Sequence, residues 1–313
     1  MSDGIRRLPT FAALSGQAVL DGHRKGASIQ LDETYFAGQS RALRTADEFS
    51  PSERRLAGLR DSKETYERID VRVESLTEQH LWEASRRFRR QLRTVPEVDY
   101  LDRQFPGRCF VVPEWLRTDN RLHYGARVYL FREDDAPTPE AVMRENVEAV
   151  VADSFEAFER YQGRLHGYPD CCIDFYQNRS PDSPSPEWQS VAPFADRIHD
   201  AALEAGPPES IEDVVPEFLD AEAEYAFFAR EFFPEPGCET ARTKGRVIHD
   251  ALAATIDEGL VEDYFKLTFG FNYLVAQAVH TGGDRRPAPG DLGREHLLFY
   301  APLGELTTLP RYS

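Results

Sequence analysis

One short segment of the chain concentrates the side chains that could bind a metal ion or do thiol chemistry. Residues 166–175 read His-Gly-Tyr-Pro-Asp-Cys-Cys-Ile-Asp-Phe. Pro169 has a fixed φ that suits the first turn of a helix, so Cys171 and Cys172 should occupy that turn. Unpaired backbone N–H groups and the helix dipole favour anions there, and they can lower the pKa of a thiol. Because thiolate is both the nucleophile and the metal ligand, we expect the protein's chemistry here.

A second segment repeats this arrangement. Residues 233–241 read Phe-Pro-Glu-Pro-Gly-Cys-Glu-Thr-Ala, which predicts a helix that starts directly after Cys238. If the two helix starts face each other, His166, Cys171, Cys172 and Cys238 supply the four nitrogen and sulfur ligands of a structural zinc site. Adjacent cysteines rarely both bind one tetrahedral ion, so Glu235 is a further candidate ligand.

Three interpretations of these cysteines remain open. They could be buried core residues, because free cysteine packs as a small hydrophobe. They could bind zinc, although the chain has no C-x-x-C pair. Cys171 or Cys172 could instead serve a thiol redox or nucleophilic enzyme. Cys109 lies in an apolar stretch and is expected in the core.

The two segments also carry a resemblance. Residues 167–175 are similar to a segment of an uncharacterised, largely archaeal family that is catalogued as a domain of unknown function. Residues 233–241 resemble a later helix start of that family, with Cys238 and Ala241 matching and Glu235 in place of an earlier cysteine. A carboxylate replaces a thiolate well at zinc and poorly at an iron–sulfur cluster. The resemblance covers residues 138 to about 256, implies that the segments belong together, and implies no known activity.

Composition narrows the function classes. The 313 residues include 54 Asp and Glu against 37 Lys and Arg, for a net charge of -17. Only four of those 37 basic residues are lysines, which leaves 33 arginines. This balance indicates a halophilic, haloarchaeal-type protein, because at roughly 1 M salt the Debye length falls to ~3 Å and self-repulsion is screened. The charge argues against broad nucleic-acid binding. No signal peptide or membrane span is evident, so we expect a cytoplasmic protein.

The pattern of the remaining chain predicts an α+β fold. Residues 1–136 should hold a small mixed sheet, and residues 137–313 should be mostly helical, although both could form one compact domain. Strands are predicted at 66–75, 109–112, 125–131 and 297–300, and the first 62 residues look irregular. Helices are predicted at 77–93, 138 to about 163, 192–205, 213–232, 239–256 and 261–280.

The helix at 77–93 carries arginines on its polar face, namely Arg86, Arg87, Arg89, Arg90 and Arg93. A solvated helix face is the favoured explanation, and an anion or RNA contact surface is the alternative. No phosphate-binding loop, dinucleotide fingerprint, serine-hydrolase elbow or zinc-protease motif is present.

These observations support three hypotheses. The leading one is a cytoplasmic protein with a cysteine and histidine zinc site between two helix starts. An open fourth position would let zinc polarise water or substrate, and a closed site would be structural. The second is a thiol enzyme, and the third is a non-enzymatic protein- or RNA-interaction protein with buried cysteines. The substrate, the partner and the oligomeric state do not follow from the sequence.

Overall fold

The computed structural model describes residues 10–31, 76–93, 105–118, 121–180, 182–205 and 221–280, together with Val73, Val98, Asp102 and Arg103. The elements in these ranges are α1 (Thr10–Leu20), β1 (Gly26–Leu31), α2 (Glu78–Leu92), β2 (Cys109–Thr118), β3 (Arg121–Phe131), a 3₁₀ turn (Glu133–Asp135), α3 (Pro139–Ala152), α4 (Glu156–His166), α5 (Asp170–Gln177), α6 (Pro186–Ala205), α7 (Ala221–Ala226), α8 (Glu239–Ala253) and α9 (Glu258–His280). The predicted α+β class with a helical C-terminal part is confirmed.

The sheet is antiparallel, with strand order β1-β3-β2. Alternate residues of β3 face two different hydrophobic clusters, as period-two side chains must. Val128 and Leu130 pack with Phe88 of α2 and Val150 of α3, whereas Tyr129 packs with helical residues of α3 and α4. The central strand is therefore covered on both faces.

The predicted strands at 109–112 and 125–131 are present as β2 and β3. The expectation of an irregular start was wrong, because α1 and β1 lie within the first 62 residues. Strand β1 has a weak local signal, Gly-Ala-Ser-Ile-Gln-Leu, and is formed by pairing with the distant β3. The predicted strand at 297–300 falls outside the described residues, and so does that at 66–75 apart from Val73.

Helix α2 has the predicted amphipathic character. Thr77 caps its start by accepting a hydrogen bond from the N–H of His80. Arg89 is half-buried and donates to Glu140 and to the carbonyl of Val111. The other arginines of this face are exposed: Arg86, Arg87, Arg90 and Arg93.

The predicted single helix from 138 to about 163 is two helices, α3 and α4. Asp153 adopts a left-handed conformation with φ 53°, and the N–H of Ser154 bonds to the carbonyl of Ala149. These features form a helix C-terminal motif, which a short polar residue such as Asp tolerates. The hydrophobic periodicity continues across this break, so the pattern alone did not reveal it.

The predicted helix at 213–232 also differs from the structure. Helix α7 ends at Ala226, and the following chain is irregular. Buried Asn272 of α9 holds this irregular chain, because its amide donates to the carbonyls of Ala229 and Phe232 and its oxygen accepts from the N–H of Glu231. Residues 213–220 lie outside the described part.

Helices α5, α7, α8 and α9 share a core with α1, which packs Leu14 and Ala18 against them. The division of the chain near residue 136 stays a prediction. None of the helices in the described ranges is both long and apolar enough to cross a bilayer.

Gly245 allows the close approach of α8 to α7. A Cβ at this position would lie 1.7 Å from the carbonyl oxygen of Tyr225. Gly245→Ala should therefore destabilise the protein by at least about 2 kcal/mol, because the backbone of α7 would have to move. Thr243→Ala, at an exposed position of α8, is the control and should leave stability nearly unchanged. Chemical denaturation of both variants measures the difference, and equal stabilities would contradict the close packing.

Candidate metal centre

Both predicted helix starts exist, and each presents cysteine. Helix α5 begins at Asp170 after Pro169, which places Cys171 and Cys172 in its first turn. Cys238 is the N-cap of α8, where its sulfur accepts the N–H of Ala241 at 3.5 Å. Local chain signals alone thus define two sulfur-bearing helix starts.

The fold brings the three sulfurs together. The Sγ atom of Cys171 lies 3.4 Å from that of Cys238 and 4.0 Å from that of Cys172. All three sulfurs lie within 4.8 Å of one another. A tetrahedral zinc with Zn–S bonds of about 2.3 Å would hold its sulfurs about 3.8 Å apart. The group therefore has nearly the spacing that one tetrahedral ion requires.

The three sulfurs differ in their access to solvent. Cys171 is exposed, Cys238 is half-buried, and Cys172 is buried within the helical core. The three sulfurs therefore lie near the surface, with that of Cys172 buried. An ion would enter from the side of exposed Cys171.

The thiol pKa values run opposite to the expectation for a helix N-terminus. Burial is the largest cause and raises the pKa of Cys171 and of Cys172, and the neighbouring thiol of Cys238 raises both further. Backbone N–H groups of Glu235 and Cys172 act the other way on Cys172 and Cys171 respectively, but they do not compensate. As free thiols, both cysteines are mainly protonated at neutral pH. A bound cation would reverse this, because a coordinating thiol is deprotonated.

His166 does not join the cysteine group. Its ring is buried, with Nδ1 2.8 Å from the carbonyl oxygen of Gln162 and Nε2 2.8 Å from Ser28 Oγ. A carbonyl only accepts, so Nδ1 carries the proton and Nε2 accepts from the serine hydroxyl. Burial, and after it the charges of Arg127 and Arg24, lowers the pKa of His166 to about 3. The imidazole is neutral, and both nitrogens are already engaged.

Glu235 contributes through its backbone. Its carbonyl accepts the N–H of Cys238 at 3.0 Å across a turn that includes Gly237, whose φ is 73°. Its side chain is exposed, and its carboxylate is not part of the group of potential ligand atoms within 4.8 Å. Glu235 as a metal ligand stays a prediction.

The sequence interpretation missed a cavity beside this centre. The cavity, which we call the central cavity, has a volume of about 910 Å³ and lies between the sheet and the C-terminal helices. Its polar lining includes Ser15, Arg24, Ser28, Arg127, His166 and Cys172. The only local signal was the Arg24-Lys25 pair in a chain with few lysines.

Comparisons with known proteins give no match: no protein-family model, no curated protein and no solved structure is detectably similar to the chain.

Alkylation of the metal-free protein tests the raised thiol pKa values. Because a raised pKa reduces the thiolate fraction, iodoacetamide should modify Cys171 more slowly at pH 7 than it modifies glutathione. The rate of Cys171 modification should still rise steeply above pH 9, where an ordinary cysteine with a pKa of about 8.5 is already mostly ionised. Peptide mass spectrometry measures both rates, and buried Cys109 serves as the unreactive control. Faster modification of Cys171 than of glutathione at pH 7 would contradict the raised pKa of the Cys171 thiol.

Proposed function

We propose that the protein binds one zinc ion through Cys171, Cys172 and Cys238, held between the starts of α5 and α8. The observation that carries the proposal is the convergence of three sulfurs from two distant chain segments within 4.8 Å. Packing of three small hydrophobes does not require their sulfurs to meet, and Cys171 is exposed rather than buried.

The ligand chemistry favours zinc. Thiolates are soft ligands that select zinc, copper(I) or iron–sulfur clusters and disfavour magnesium and calcium. Sulfurs at 3.4 and 4.0 Å suit one shared ion better than a cluster, which spreads its cysteines over several irons. Backbone N–H groups directed at sulfur also stabilise thiolates around a metal.

A fourth ligand decides whether the centre is structural or reactive. The described residues place three sulfurs in the group, and Cys171 faces solvent. Three protein ligands with an open position are the arrangement of catalytic zinc sites, which activate water or polarise a bound substrate. The carboxylate of Glu235, in the turn before α8, is the candidate that would close the site instead.

We place this function in the cytoplasm of a cell with high internal salt. Three adjacent thiols stay reduced in a reducing compartment, where metal binding is the usual use of such a group. The net charge of -17 suits a salt-rich solution.

Elemental analysis tests the metal centre. Protein made without chelator or affinity metal should carry about one zinc per chain, because each chain supplies all three cysteine ligands itself. The double variant Cys171→Ser, Cys238→Ser should lose the metal, and Cys109→Ala, which removes a thiol elsewhere, should keep it. A separate Glu235→Gln variant shows whether that carboxylate strengthens zinc binding. Wild-type protein that contains no metal and takes up none from added zinc would overturn the proposal.

A redox switch is a second candidate function, favoured by one distance. The sulfurs of Cys171 and Cys238 are 3.4 Å apart, closer than those of Cys171 and Cys172 at 4.0 Å. A disulfide oxidant such as oxidised glutathione could join them: the two thiols lose two protons and two electrons, and the oxidant becomes two molecules of glutathione. Exposed Cys171 would attack the oxidant first and release one glutathione, and Cys238 would then attack the sulfur of Cys171 and release the second.

Treatment with oxidised glutathione tests this switch. Metal-free protein should form a bond between Cys171 and Cys238, seen as one crosslinked peptide pair in a non-reducing digest. Cys172→Ala should still form this bond, and bound zinc should prevent it, because the metal occupies both thiolates. If only mixed disulfides with glutathione appear, the two cysteines do not form a switch.

A further inference from the structure

Arg24 is the unusual residue of the central cavity. Its side chain lines the cavity and the residue is only 3% exposed. Nη1 donates to Ser15 Oγ at 3.0 Å, whereas Nε is buried and has no hydrogen-bond partner. No carboxylate in the described part of the chain forms an ion pair with it. A buried charge without a counter-charge costs roughly several kcal/mol of folding free energy. The presence of Arg24 at this buried position therefore requires an explanation.

Neutral groups hold the guanidinium in place. Ser15 Oγ accepts from Arg24 and lies 2.8 Å from the hydroxyl of Tyr264, which in turn donates to the carbonyl of Phe228 at 3.2 Å. The guanidinium carbon also lies 5.8 Å from the centre of the Phe228 ring. These contacts fix the orientation of Arg24 and leave its charge uncompensated.

Several other charged groups of the cavity wall have partners of their own. Arg127 pairs with Glu114 at 2.8 Å and with Glu231 at 3.4 Å. Two further acidic residues of the wall have partners of their own, in the pairs Glu159–Arg179 and Glu187–Tyr176. Arg24 therefore stands apart from a wall whose carboxylates are already engaged.

Further positive charge surrounds Arg24. Lys244 of α8 donates to the carbonyl of Gly167, and its pKa is lowered by burial first and then by the charges of Arg24 and Lys25. Half of the four lysines of this acidic chain thus lie within electrostatic range of one buried arginine. A negatively charged ligand would relieve this local excess.

We propose that the central cavity binds a small organic anion whose phosphate or carboxylate group is held by Arg24. The flat guanidinium fork, whose buried Nε has no hydrogen-bond partner, suits two parallel hydrogen bonds to two oxygens of such a group. A volume of about 910 Å³ accommodates a metabolite-sized molecule. The apolar wall contributed by Phe232 and Phe233 would contact the body of the ligand. This anion site is distinct from the proposed zinc centre, although Cys172 lines the cavity and is also a proposed zinc ligand.

Calorimetric titration with three matched probes tests the proposal: phenyl phosphate, benzoate and neutral benzamide, all at constant ionic strength. At least one of the two anions should bind, benzamide should not, and the better anion identifies the head group. Arg24→Met should weaken binding about tenfold or more, as expected for loss of a charge-assisted hydrogen-bonded pair. Arg87→Met removes a charge from an exposed position of α2 and should leave binding unchanged.

Thermal unfolding separates ligand binding from a structural role. Without anion, Arg24→Met should melt no lower than wild type, because it removes an unpaired buried charge, and the anion should no longer raise its melting temperature. Arg24→Lys keeps the charge without the fork and should bind more weakly than wild type.

Three results overturn the proposal: no binding of either anion to wild type at millimolar concentration, equal binding by wild type and both Arg24 variants, or binding of benzamide as strong as that of the anions. The Cys171→Ser, Cys238→Ser variant should still bind the anion, so a failure of the zinc centre would not be mistaken for a failure of this site.

Discussion

The turn at Gly167 is the constraint on which the centre and the cavity both depend. Gly167 ends α4 with φ 71°, a left-handed conformation that glycine adopts without strain, and the N–H of Tyr168 closes the turn on the carbonyl of Gly163. The ring of His166 lies before the turn and contacts the sheet through Ser28. The cysteines of α5 follow the turn and face α8. Residues five positions apart therefore belong to different environments.

The same turn ties the second helix start to the first. Lys244 of α8 donates to the carbonyl of Gly167, and Gly163 leaves room for Ile173 of α5, whose side chain lies 2.9 Å from the position of a Cβ there. These contacts fix α5 and α8 relative to α4. Three thiols held together in this way are costly to ionise without a cation, so the arrangement is better explained by a metal than by an activated nucleophile.

The sequence predicted what local chemistry determines. Pro169 and Gly237 mark helix starts by their own backbone preferences, and alternating residues identify β2 and β3. What it missed depends on distant partners. Strand β1 requires β3, and the irregular chain after Ala226 requires Asn272. The direction of the His166 ring depends on Ser28 of another element, so it could not be assigned from spacing alone. Glu235 contacts Cys238 through its backbone carbonyl, and its carboxylate as a metal ligand stays a prediction.

The charges of the two sites bear on how they act together. Three thiolates and one zinc ion would carry one net negative charge, so the proposed centre would repel an anion rather than attract it. Attraction must then come from Arg24, with Lys244 on α8 adding positive charge at the Gly167 turn. Because Cys172 lies on the cavity wall, an anion held at Arg24 would experience both charges. A ligand bound by Arg24 is thus positioned by the cationic end of the cavity, and an open position at the zinc would be free for a neutral or electron-donating group such as water.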